Sequence, residues 1–105
     1  MIKVNTTNPS NLETLVDKAI KDGSIKTWEI QIHDDVKYYT HTPEQWRQKA
    51  YLRPYQANNM WQLYLVWPKV SNKEKAVSGV YHGRFIEMLC THFANNFADI
   101  DSTIP

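Results

Sequence analysis

The chain has a single cysteine, Cys90, and only three glycines among 105 residues. A lone cysteine excludes an internal disulfide, and a reducing compartment is the simplest setting for such a chain. Three scattered glycines leave no loop able to cradle a phosphate, and no nucleophile elbow or HExxH pattern is present. Charge of either sign is not in excess: 12 Lys and Arg stand against 11 Asp and Glu, a formal net charge of +1. Bulk attraction to duplex nucleic acid needs a clear basic surplus, so nucleic acid is not the expected partner. Long apolar runs are absent too. Nothing approaches the ~18 residues of a membrane span, and MIKVNTTNPS at the start holds no signal-peptide core. The expectation is a cytoplasmic protein with no membrane partner.

What the chain has in quantity is aromatic residues: four Trp, six Tyr and three Phe. They supply large buried area in a core, and they are enriched at binding surfaces. With 42% hydrophobic and 22% charged residues, the composition is that of a folded chain rather than a disordered one. The length suits one domain, taken as residues 1–105.

Residues 1–7 read as a loose arm or a short edge segment. Asn8 or Ser10 can cap a helix over about 9–22, with Pro9 in its first turn and Ser10–Glu13 at capping-box spacing. Leu12, Leu15, Val16, Ala19 and Ile20 form its apolar stripe, and Gly23 ends it. Residues 25–41 read as a hairpin about Asp34-Asp35, because apolar and polar residues alternate through Trp28, Ile30 and Ile32. Thr42-Pro43 opens a short turn over 43–48. A second hairpin follows over 49–68 about Asn58-Asn59. Leu52, Trp61, Leu63 and Leu65 face its core side. Pro54 cannot donate to a ladder, which predicts an edge or a bulge in that strand. A long helix beginning between 72 and 79 runs to about 97, with Gly79 and Gly83 read as points of close backbone approach. The tail from Ala98 is expected to fray, with Ile100 and Ile104 able to dock.

These elements predict an α+β two-layer sandwich: a four-stranded antiparallel sheet with N-terminal and C-terminal helices on one face, in the order α-β-β-β-β-α. The opposite face is left open. Alternation places Glu29, Gln31, His33, Tyr51, Arg53, Tyr55, Gln62 and Tyr64 there, with Tyr39 and His41 nearby. Tyr and Arg combine contact area with hydrogen bonding, as binding hot spots do. A solvated face with strand-favouring Tyr is the plain alternative. The candidate interface residues are Tyr51, Arg53, Tyr55, Tyr64, Glu29 and His41, joined by Arg84 from the outer side of the last helix.

Four histidines raise the question of a metal. His82 and His92 lie ten residues apart on one helix, ~15 Å along its axis, too far to share an ion. His33 and His41 are the remaining pair, able to meet across the first hairpin. Zinc asks for three or four close ligands, and Cys90 has no partner cysteine. No metal or cofactor is expected. Cys90 and His82 read as core residues.

Two stretches, TPEQWRQKAYLRP at 42–54 and VYHGRFIEMLCTHF at 80–93, resemble a set of small, uncharacterised bacterial proteins of about this length. The resemblance spans most of the chain from the first helix onward. It implies a bacterial, cytoplasmic source, of the kind carried on mobile elements, and it implies no activity or catalytic residue.

The sequence therefore favours a non-enzymatic binding module that self-associates as a homodimer, with an unknown protein partner also compatible. The alternative is a small-molecule-binding protein or enzyme with a pocket between sheet and helices, using His82, Tyr64 or Glu29. A further alternative is single-stranded nucleic-acid binding on the Tyr/Arg face.

Overall fold

The computed structural model describes residues 1–104. The chain forms β1 (Ile2–Asn5), α1 (Pro9–Lys21), β2 (Trp28–His33), β3 (Val36–His41), β4 (Tyr51–Ala57), β5 (Met60–Val66), α2 (Lys75–His92), a 3-10 turn (Ala94–Asn96) and β6 (Asp99–Ser102). All six strands join one antiparallel sheet in the order β2-β3-β4-β5-β1-β6.

This corrects the four-stranded expectation. The first residues are no loose arm: β1 lies inside the sheet between β5 and β6. The tail does not fray at Ala98, because β6 pairs with β1 from Asn5↔Asp99 to Ile2↔Ser102. The helices consequently do not flank the strands at the two ends of the chain, since β1 precedes α1 and β6 follows α2. β4 is interior in strand order, yet Pro54 pairs only with Leu63 of β5 and lies where the β3 side has no registered partner, so the missing donor costs no ladder bond there. β4 pairs along its whole length with β5, while its register with β3 is held at Tyr39↔Leu52. The sheet edges are β2 and β6.

Helix α1 begins as its sequence dictates. The Asn8 side chain accepts from the Asn11 amide at 3.0 Å, and Pro9 occupies the first turn. The Ser10–Glu13 spacing forms no capping box; Glu13 instead reaches the sheet. Asp22 caps the far end, and Gly23 follows at φ 84, a left-handed position that glycine takes without strain. Asp34 and Asp35 have φ 51 and 64, as a two-residue type I′ hairpin turn requires.

The pairing register divides the sheet into two faces. Trp28, Ile30, Tyr39, Leu52, Trp61, Leu63, Ile2 and Val4 share one. Both helices cover that face. Phe85 of α2 packs on Trp28, Tyr39 and Trp61, with ring centroids 5.0, 5.5 and 6.0 Å apart. From α1, Glu13 accepts from the Trp61 indole at 2.7 Å, and Asp17 accepts from the Tyr39 hydroxyl. One hydrophobic core results, in which Trp61, Tyr39, Tyr81 and Phe85 are fully buried.

Three smaller expectations change. Ile32 shares the core face by register, yet it is 66% exposed, because it lies at the end of an edge strand where neither helix covers it. Cys90 is exposed rather than core. Gly79 and Gly83 meet no other backbone: a Cβ built on either would have nothing within 4 Å. His82 is buried as expected. Its Nδ1 donates to the Ser78 carbonyl at 2.7 Å, and its Nε2 accepts from the Met1 amine at 3.2 Å. No helix among the described residues is long and apolar enough to cross a membrane.

Candidate functional site

The uncovered face of the sheet is built from alternate residues of its six strands. The two-residue turns fix which ones. His33↔Val36 closes the first hairpin, so Gln31 lies opposite Tyr38 and Glu29 opposite Thr40. In the second hairpin Arg53 lies opposite Tyr64 and Tyr55 opposite Gln62. Lys3 then lies opposite Gln62 on β1. Glu29, Tyr51, Arg53, Tyr55 and Tyr64 thus share one surface, as their alternation predicts.

Two aromatic groups organise it. His33, Tyr38 and Tyr51 form a triangle with centroids 5.5 to 5.9 Å apart. Tyr55 and Tyr64 meet edge to face at 5.0 Å, and the Arg53 guanidinium stacks over the Tyr55 ring at 4.7 Å. Such geometries favour rings held in place rather than loose in solvent. Polar side chains link along the same face. Arg47 donates to Glu29 at 3.1 Å, Gln31 donates to Glu29 at 3.0 Å, and Tyr64 donates to Gln62 at 2.9 Å. Burial pushes the Tyr51 hydroxyl above its usual pKa, with the Tyr81 and Glu29 neighbours adding to the shift. It remains a hydrogen-bond donor. Tyr55 and Tyr64 are 40% and 38% exposed, high for residues in the middle of a sheet.

One of the six sheet-face candidates belongs elsewhere. His41 pairs with Trp28 on the core face, not with His33, and it stacks on the Trp28 ring at 4.6 Å. It is 4% exposed. Tyr39 is also on the core face. Tyr38 occupies the place that the sequence reading gave to Tyr39. The signal was present in Asp34-Asp35: a two-residue turn fixes hairpin parity, and it puts Tyr38 beside Gln31. Arg84 is exposed on α2, where it donates to Glu87 at 3.4 Å, and it lines a cleft together with His41.

No group of three or more His, Cys, Asp or Glu side chains able to hold a metal ion occurs among the described residues. The groups named for a pocket between sheet and helices are not brought together. His82 is in the core, whereas Glu29 and Tyr64 point out of the opposite face. Comparison with known protein families, with curated proteins and with solved structures finds no match to this chain.

Proposed function

We propose that the chain is a non-enzymatic interaction module whose open sheet face receives a second copy of itself. The observation that carries this reading is the ordered aromatic and Arg surface running across β2 to β5 on the side that neither helix covers. Six strands at ~4.8 Å spacing and about six residues each give a footprint on the order of 500 Å². A stable interface buries roughly 800 Å² of accessible surface per partner, and the accessible area of a rough face exceeds its footprint.

Self-pairing is favoured over another partner by the charge pattern. The face carries Lys3, Arg47 and Arg53 together with Glu29, Asp99 and Asp101. A surface with both signs complements itself under a two-fold axis. The same acidic residues weigh against a nucleic-acid strand, which would meet repulsion at both ends of the sheet.

Size exclusion with light scattering tests the reading. A dimer is expected at micromolar concentration, and Tyr51→Ala combined with Arg53→Glu is expected to shift it to monomer. Both positions are on the solvent side of the sheet, so the variant should keep its helix and strand content. A wild-type chain that stays monomeric at high micromolar concentration would remove the proposal.

A further inference from the structure

We propose that the cleft between the 43–46 turn and α2 is a binding site for a small zwitterion, an α-amino acid with an apolar side chain. The cleft has a volume of about 370 Å³ and lies at the helix side of the molecule, away from the open sheet face. It is lined by His41 of β3, by Trp46 of the turn, and by Arg84, Glu87 and Met88 from α2.

His41 offers the cleft a ring acceptor. It is only 4% exposed. Its Nδ1 faces the Thr27 carbonyl at 2.7 Å, and a carbonyl can only accept, so that nitrogen carries the proton. In the neutral ring Nε2 is then a bare acceptor. No group among the described residues bonds it. No wholly buried side-chain nitrogen or oxygen among the described residues lacks a partner, so Nε2 keeps some accessible surface, and His41 lines the cleft. Burial lowers the His41 pKa against the pull of the Thr27 bond, and Arg84 lowers it further. The ring therefore stays neutral near pH 7. An accessible ring acceptor at the edge of a cleft can take a donor supplied by a ligand in place of water.

The mouth supplies both signs of charge. Arg84 and Glu87 stand one turn apart on α2, with side chains 58% and 66% exposed and an N···O distance of 3.4 Å. So open an ion pair contributes little by itself. A ligand of one charge would meet one of them and oppose the other. A zwitterion meets both, with its carboxylate on Arg84 and its ammonium between Glu87 and His41 Nε2. Trp46 and Met88 offer apolar contact to a side chain. The volume is at the small end of the ~300–1,000 Å³ typical of ligand sites, which suits an amino acid better than a nucleotide.

The cleft is also held open in advance. The Tyr81 hydroxyl donates to the Trp46 carbonyl, and the Thr42 hydroxyl donates to the Lys26 carbonyl at 2.7 Å. The Thr42 amide donates to the Thr27 carbonyl at 2.9 Å. A wall fixed from α2 and from the β2 approach loses little freedom when a ligand enters. This site does not depend on the self-association proposed above.

Titration of the isotopically labelled full chain with L-leucine and L-phenylalanine tests it by NMR. Saturable shifts are expected at the His41 imidazole, the Trp46 indole and the Arg84 side chain. Acetate and isobutylamine, each carrying one charge, should bind at least about tenfold more weakly. Arg84→Gln, at an exposed position, should weaken leucine binding by at least about tenfold while leaving the sheet amide spectrum intact. His41→Gln should also weaken it; because that residue is buried, Arg84→Gln is the deciding variant. The proposal is overturned by the absence of saturable shifts at these three groups, by equal affinity for acetate, or by unchanged binding in Arg84→Gln.

Discussion

At the scale of single residues, polar side chains fix how the helices meet the sheet. Glu13 and Asp17 of α1 hold Lys37, Tyr39 and Trp61 from three strand positions. Burial opposes a charge on Lys37, but the hydrogen bonds and charges of Asp17 and Glu13 outweigh it and raise the lysine pKa. Burial, reinforced by the Asp17 charge, pushes the Tyr39 hydroxyl well above its usual 10.0. Neither group changes charge near neutral pH. The imidazoles behave differently. Burial lowers both His41 and His82 below their ordinary 6.5, and the nearby Met1 ammonium adds to the effect at His82. The folded state then binds fewer protons than the unfolded state just below that value. Stability is fully present above pH 6.5 and is lost as pH falls through the lowered folded values. Most carboxylates stay ionised down to about pH 5, so the interval between reports on the histidines together with the Met1 amine. Burial and Lys3 lower the pKa of that amine from 8.0, and it acts in the same direction. Urea unfolding should give a lower midpoint at pH 5.5 than at pH 7.5. A midpoint that holds or rises would contradict this assignment.

At the scale of elements, the first hairpin is governed by its turn. Asp34 and Asp35 both take positive φ, a conformation that costs an L residue roughly 1–2 kcal/mol relative to its preferred region. Asp tolerates it better than most residues, and Gly takes it freely. Asp35→Gly should therefore stabilise the protein by about 0.5–1 kcal/mol, after glycine's greater loss of chain entropy is counted. Differential scanning calorimetry would show a rise in Tm, whereas a fall would mean that the aspartate contributes a bond of its own. The same turn marks the boundary of what could be read from sequence. Helix α1, both hairpins and the core side of Leu52, Trp61 and Leu63 follow from periodicity, because each spans several repeats of its pattern. Strands β1 and β6 do not. IKVN and DIDS are four residues each, two repeats of alternation at most, and Asp and Ser in DIDS suit turns better than strands. What makes them strands is pairing with partners far away in sequence. The open face was legible for Tyr51, Arg53, Tyr55, Tyr64 and Glu29 because each alternates with a core residue. His41 was misplaced through hairpin parity, and its meeting with Arg84 joins elements no local pattern connects.

At the scale of the whole molecule, the strand order joins a local half to a non-local one. β2 to β5 form a meander whose neighbours are adjacent in sequence. β1 pairs with β5 some sixty residues away, at Ile2↔Leu63, and with β6 a hundred residues away, at Ile2↔Ser102. Loop-closure entropy must be overcome before such distant contacts stabilise anything, so they are expected late in folding. The meander is the natural nucleus, and α2, whose Phe85 touches Trp28, Tyr39 and Trp61, is placed to consolidate it. Leu52 and Val4 are both fully buried and test the two halves separately. Truncating either to Ala should cost about 2 kcal/mol or more, enough for a reliable kinetic comparison. Leu52→Ala should mainly slow folding, because its contacts with Tyr39 and Leu65 form within the nucleus. Val4→Ala should leave the folding rate nearly unchanged and speed unfolding, because its neighbours Trp61 and Ile100 are joined only when the ends of the chain meet. Stopped-flow chevrons of the two variants decide the matter. If Val4→Ala carried the folding-rate effect, the sheet would have to assemble from its non-local half.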